Sequence, residues 1–121
     1  MREVLFVAGE ASGDLHASGV AAELRRLRPD LALVGIGGDR MKAAGVELIE
    51  HASRFTVIGF VGIARLVPRF WSLLRALRQR LRSGNVAAAV LVDFGGFNLG
   101  FVAGAARAAG VPVVYYITPQ V

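Results

Sequence analysis

An α/β fold, a parallel sheet flanked by helices in a single Rossmann-like domain over residues 1–121, is predicted for this chain on three observations. Strand-length apolar runs alternate with segments of helical period, the order that βαβ units require. Two of the runs, Val4-Leu5-Phe6-Val7-Ala8 and Val86 to Val92, are apolar throughout, as strands buried on both faces must be. Each is followed by a glycine-bearing loop, Gly9-Glu10-Ala11-Ser12-Gly13-Asp14 in one case and Asp93-Phe94-Gly95-Gly96-Phe97-Asn98 in the other. In such sheets ligands sit beyond the carboxyl ends of the strands, where loops and helix N-termini meet.

The elements follow in order. The first helix begins near Ser12 or Asp14, both good caps, and Pro29 stops it after Leu27. Ala32 to Ile36 is the second strand, Gly37-Gly38-Asp39 leads into a short helix holding Arg40-Met41-Lys42, and Gly45 closes it. Val46 to Ile49 is a short strand. Over residues 63–82 the set Ile63, Leu66, Val67, Phe70, Leu74, Leu77 and Leu81 keeps the helical period. At roughly 100° per residue, Arg75, Arg78 and Arg82 border this stripe on one side and Arg65, Arg69 and Arg80 on the other. Pro68 inside the pattern predicts two helical pieces, or a start near Pro68. Val86 to Val92 is a strand, Asn98 to Ala109 a helix ending at Gly110, and Val113 to Ile117 a last strand. The window from Val86 to Ala106 is apolar enough for a membrane span, but Asp93 at its centre would cost roughly 2.5–3.5 kcal/mol, so strand, loop and helix is the better reading.

Composition narrows the function. A length of 121 residues suits one domain and is short for an enzyme that must close over two substrates. Without cysteine, and with His16 and His51 far apart, neither a disulfide framework nor a metal centre is expected. The start Met1-Arg2-Glu3 runs into an apolar stretch too short for a signal peptide, which predicts a cytoplasmic protein. The net charge is +5, unevenly placed: residues 51–121 carry eight arginines against Asp93 alone. An anionic partner follows, whether lipid, membrane surface or nucleic acid. Nucleic acid is disfavoured, because aliphatic side chains rather than stacking aromatics interleave the arginines.

The Gly9 to Asp14 loop fits neither G-x-G-x-x-G nor the phosphate loop that ends in Gly-Lys-Ser/Thr. It leaves a backbone turn with Gly9, Glu10, Ser12 and Gly13 available to sugar hydroxyls or a phosphate, or a turn in which Ser12 or Asp14 only caps the helix. Asp93 stands where a general base belongs, and apolar Val92 and Phe94 would raise its pKa by desolvation; the alternative is a solvated cap. Asn98 divides in the same way between cap and substrate contact. Arg40 either binds a phosphate or pairs with a nearby acid. Residues 57–82 are either an amphipathic helix packed on the sheet or, with Val57, Ile58, Phe60, Val61 and Trp71 extending the apolar surface, a membrane contact with snorkelling arginines.

At these residues the chain resembles the lipid-A-disaccharide synthase family along its whole length. The match runs through Val7-Ala8-Gly9-Glu10-Ala11-Ser12-Gly13-Asp14, Gly35 to Met41, Val57-Ile58-Gly59-Phe60-Val61, Asp93 to Asn98 and Tyr115 to Val121. The resemblance implies the N-terminal, acceptor-side half of a two-domain GT-B glycosyltransferase. Such an enzyme transfers 2,3-diacylglucosamine with inversion from UDP-2,3-diacylglucosamine to 2,3-diacylglucosamine 1-phosphate, with no metal and no cofactor, the UDP-sugar being a substrate. It assigns the general base to Asp93 and a motif asparagine to Asn98. Gly96 stands where the family's Asp-x-x-Asp-Phe-Asn motif has its second aspartate, and Gly62 where many members carry glutamate. It also implies a membrane-docking patch at Val57, Ile58, Phe60, Val61, Ile63, Arg65, Leu66, Arg69, Phe70 and Trp71, on the inner face of the inner membrane. The family continues past Val121 into a Trp-Ala-Trp-type motif, so a C-terminal nucleotide-sugar domain absent from these residues is expected, with a homodimer as a further option. The alternative is a non-catalytic Rossmann-like module that binds a phosphorylated ligand or nucleic acid.

Overall fold

The computed structural model describes residues 2–8, 11–51, 63–92 and 102–116, with the backbone alone at 11–13, 63–70, 115 and 116. Nine elements alternate through these residues. They are β1 (Glu3–Ala8), α1 (Ala11–Leu27), β2 (Ala32–Gly37), α2 (Asp39–Ala43), β3 (Glu47–His51), α3 (Ile63–Arg82), β4 (Val86–Val92), α4 (Ala103–Ala108) and β5 (Val113–Tyr116). The five strands form one sheet in the order β3-β2-β1-β4-β5, and every pairing is parallel. The predicted α/β class is therefore the observed one.

Side-chain alternation along β1 explains the layers. Leu5 and Val7 face a core shared with Leu73, Leu77 and Leu81 of α3 and Ala103 and Ala106 of α4. Val4, Phe6 and Ala8 face a second core with Ala17 and Ala21 of α1 and Met41 of α2. A strand with helices on both sides has no solvent face, which is why β1 and β4 read as unbroken apolar runs. Since β4 pairs with β1 on one side and β5 on the other, it belongs to the sheet and to no membrane span. No helix among the described residues is long and apolar enough to cross a membrane.

Two helices end as the glycine signals predict. At α2 the Val46 N–H donates to the Met41 carbonyl at 3.0 Å and Gly45 N–H to Lys42 at 3.1 Å, with Gly45 at φ 101°. At α4 the same pair of bonds runs from Val111 to Ala106 and from Gly110 to Arg107, with Gly110 at φ 73°. Both are Schellman closures, and the buried Val46 and Val111 supply the accompanying apolar contact.

Pro68 does not divide α3, which is continuous from Ile63 to Arg82. The expected break is corrected by magnitude. An interior proline costs about 3 kcal/mol or more, whereas Leu73, Leu74, Leu77 and Leu81 of this helix are all buried, each contributing roughly 1.5–3 kcal/mol. Arg80 also departs from expectation. It donates to Glu3 at 2.7 Å in a part-buried contact, so it ties the end of α3 to the start of β1 and is not a free cation of the border. Arg28 donates twice to Asp30 at 2.9 Å in the turn before β2. These hydrogen bonds hold the exposed Asp30 carboxyl below the ordinary carboxylate range. Both ion pairs lie at the amino-terminal edge of the sheet.

Candidate functional site

The strand order places a switch point between β1 and β4. From β1 the chain winds outward through β2 to β3, then crosses back to β4 on the other side of β1. Ligands of such sheets bind in the crevice outside the carboxyl ends at that point. The last registered pair of β1 and β4 is Ala8 with Val92. Gly9 and Asp93 are the next residues in sequence, so the two loops singled out above leave neighbouring strands at one level. Gly9, Glu10, Asp93 and Asn98 themselves lie outside the described residues, as do Val57, Ile58, Phe60 and Val61. Ser12 and Gly13 fall in the first turn of α1, which starts at Ala11.

That start changes the role of Asp14. As the fourth residue of α1 it does not cap the helix in which it sits. It is buried, at 7% exposure, and its carboxylate reaches across to α2. Oδ1 accepts from the Gly38 N–H at 2.8 Å and the Met41 N–H at 3.0 Å, and Oδ2 accepts from the Arg40 N–H at 3.0 Å. Three N-terminal donors of α2, which a helix otherwise leaves unpaired, are thus satisfied from another element. Sequence reasoning missed this partner. The available signal was Gly38 itself: the residue at the N-cap of α2 has no side chain with which to cap it.

Arg40 is exposed at the carboxyl end of β2. Its guanidinium makes no ion pair among the described residues, where pairing with a nearby acid was one of the two expectations. Its neighbour Asp39 does have a partner, since His51 Nε2 at the end of β3 lies 3.0 Å from Asp39 Oδ1. The β2 to α2 corner therefore presents the Arg40 guanidinium to solvent, while the Gly38, Arg40 and Met41 N–H groups are engaged by Asp14.

On α3 the exposed residues Trp71, Arg75, Arg78 and Arg82 form one row, bordering the buried leucines. Ile63, Arg65, Leu66, Arg69 and Phe70 lie on the same helix, and their side chains are outside the description.

A family model described as lipid-A-disaccharide synthetase matches residues 4–121. The lipid-A-disaccharide synthase of Anaeromyxobacter dehalogenans (strain 2CP-C) is 41% identical over 119 residues, covering 98% of this chain and 31% of that protein. Its namesake in Myxococcus xanthus (strain DK1622) is 42% identical over 118 residues, covering 98% and 30%. The chain thus spans about a third of the length of the curated relatives it matches. Among solved structures, a UGT transferase from Siraitia grosvenorii in complex with UDP superposes with a TM-score of 0.61 at 19% identity, covering 96% of this chain and 28% of that one. Phytolacca americana UGT2, complexed with UDP-2fluoro-glucose and pterostilbene, gives 0.57 at 15% identity. These two likenesses show the fold alone, a parallel Rossmann-like sheet flanked by helices.

Proposed function

The chain belongs to the lipid-A-disaccharide synthetase family, and we propose that it forms the acceptor-side domain of an inverting glycosyltransferase of lipid A biosynthesis. The reaction moves 2,3-diacylglucosamine from UDP-2,3-diacylglucosamine to 2,3-diacylglucosamine 1-phosphate. The observation that supports the reading is the Ala8 to Val92 register at the switch point, since the residues that follow these two strand ends in sequence are Gly9 and Asp93.

In this reading Asp93 takes the proton of the acceptor hydroxyl as its oxygen bonds to the anomeric carbon. The bond to the UDP oxygen breaks on the opposite face, so configuration inverts and UDP leaves with the electron pair. Gly9, Glu10, Ser12, Gly13 and Asn98 hydrogen-bond the sugar, and Arg40, free of any acid among the described residues, takes the acceptor phosphate. The reading calls for neither metal nor cofactor. The nucleotide falls to the part of the enzyme that these residues do not include.

Both substrates carry acyl chains, which suits the outer face of α3. Its row of Trp71, Arg75, Arg78 and Arg82, with Val57, Ile58, Phe60, Val61, Ile63, Arg65, Leu66, Arg69 and Phe70 in and before the same helix, has the make-up of an interfacial surface on anionic lipid. We place it against the cytoplasmic face of the inner membrane.

Replacing Asp93 tests the central assignment. Asp93→Ala in the complete enzyme is expected to lower kcat by about 10²-fold or more, the usual scale for a general base, with thermal stability kept. Turnover near that of the wild type would remove Asp93 from the chemistry.

A further inference from the structure

We propose that Asp14 is a positioning residue for the substrate's phosphate: it clamps the first turn of α2 so that Arg40 stands ready at the carboxyl end of β2. This rests on the reading of Arg40 as the phosphate ligand. Asp14 is the buried charged residue of the described chain, and burying a carboxylate is costly unless it is well compensated. The three hydrogen-bond partners of Asp14 among the described residues are backbone N–H groups of one turn, those of Gly38, Arg40 and Met41. A serine or asparagine at position 38 would cap α2 with far less desolvation. What a local cap cannot do is fix α2 to the start of α1, which carries Ser12 and Gly13 of the other lip.

The two carboxylate oxygens divide the work. Oδ1 serves Gly38 and Met41, while Oδ2 serves the Arg40 N–H. Around that turn the charges are sorted as well: Asp39 is engaged by His51, and the Arg40 guanidinium pairs with no acid among the described residues. A cation held rigidly by its own backbone loses less freedom when a phosphomonoester arrives than one on a loose loop.

The experiment compares Asp14→Asn, Arg40→Ala and the double variant in the complete enzyme. Asparagine keeps one acceptor oxygen for Gly38 and Met41, but turns an amide donor towards the Arg40 N–H. Asp14→Asn is expected to raise KM for the phosphorylated acceptor about tenfold, the scale of one charge-assisted bond, while kcat and KM for the UDP-sugar stay within about twofold. With an acceptor that lacks the 1-phosphate, wild type and variant should coincide, which a general loss of fold would not produce. In the Arg40→Ala background Asp14→Asn should add nothing. If Arg40→Ala leaves acceptor KM unchanged, the phosphate assignment fails and the role of Asp14 fails with it. If Arg40→Ala weakens the acceptor and Asp14→Asn does not, positioning alone is overturned. Equal losses for both substrates with a lowered Tm reduce Asp14 to a structural cap and also overturn it. Should Asp14→Asn yield no folded enzyme, Gly38→Ala is read by the same comparison, since its Cβ would lie 2.6 Å from Asp14 Oδ2 and displace that oxygen.

Discussion

Gly45 and Gly110 close their helices with the same pair of bonds, yet substitution should separate them. Both have positive φ, 101° and 73°, so alanine at either meets left-handed strain of roughly 1–2 kcal/mol. At Gly110 a Cβ has nothing within 4 Å, and strain is the whole cost. At Gly45 the Cβ would fall on the Arg25 side chain, whose Nη1 donates to the Ala44 carbonyl at 3.3 Å, so that contact is lost too. Urea denaturation should therefore place Gly110→Ala about 1 kcal/mol below wild type and Gly45→Ala lower again. Equal losses would show that Arg25 contributes nothing to the α1 to α2 contact.

Helix α3 separates packing from surface at the level of an element. Leu77 is fully buried between α3 and the sheet, so Leu77→Ala should cost about 2–5 kcal/mol in equilibrium unfolding. Trp71 is 58% exposed, and Trp71→Ser should change stability by no more than about 0.5 kcal/mol. Binding to anionic vesicles should respond in the opposite sense: Trp71→Ser together with Arg75→Gln and Arg78→Gln weakens it at least tenfold, at about 1 kcal/mol per basic residue. Unchanged sedimentation with vesicles would leave α3 a plain packed helix. The buried half of this helix was legible because leucine spacing and burial obey the same period. Its continuity was not, because a local proline rule competes with tertiary burial that a sequence does not display. Asp14 shows the same limit. A residue's suitability as a cap can be read locally, but the choice of which helix it caps depends on a contact across 24 to 27 positions of chain. Strands β1 and β4 had no such competition, and their extents were legible for that reason.

For the whole molecule, the sheet supplies one wall of a crevice, and catalysis needs reacting groups held from two sides. Orientation of bound reactants is worth up to about 10⁵–10⁸ M in effective concentration. A chain that spans 31% of its Anaeromyxobacter relative holds the Asp93 and the loops proposed to serve the acceptor, while the grip on UDP is proposed to lie outside it. Asp93 alone would then act on an acceptor whose donor arrives by diffusion, unoriented and with its leaving group unstabilised. The purified 121-residue chain, given both substrates, is expected to release no UDP above the rate without protein, while far-ultraviolet circular dichroism still reports its helices and sheet. The folded signal matters to the result, since it assigns silence to an incomplete site instead of an unfolded chain. Measurable turnover by this chain would mean that the crevice at β1 and β4 binds the sugar nucleotide by itself, and the division of labour proposed between acceptor and nucleotide domains would have to be abandoned.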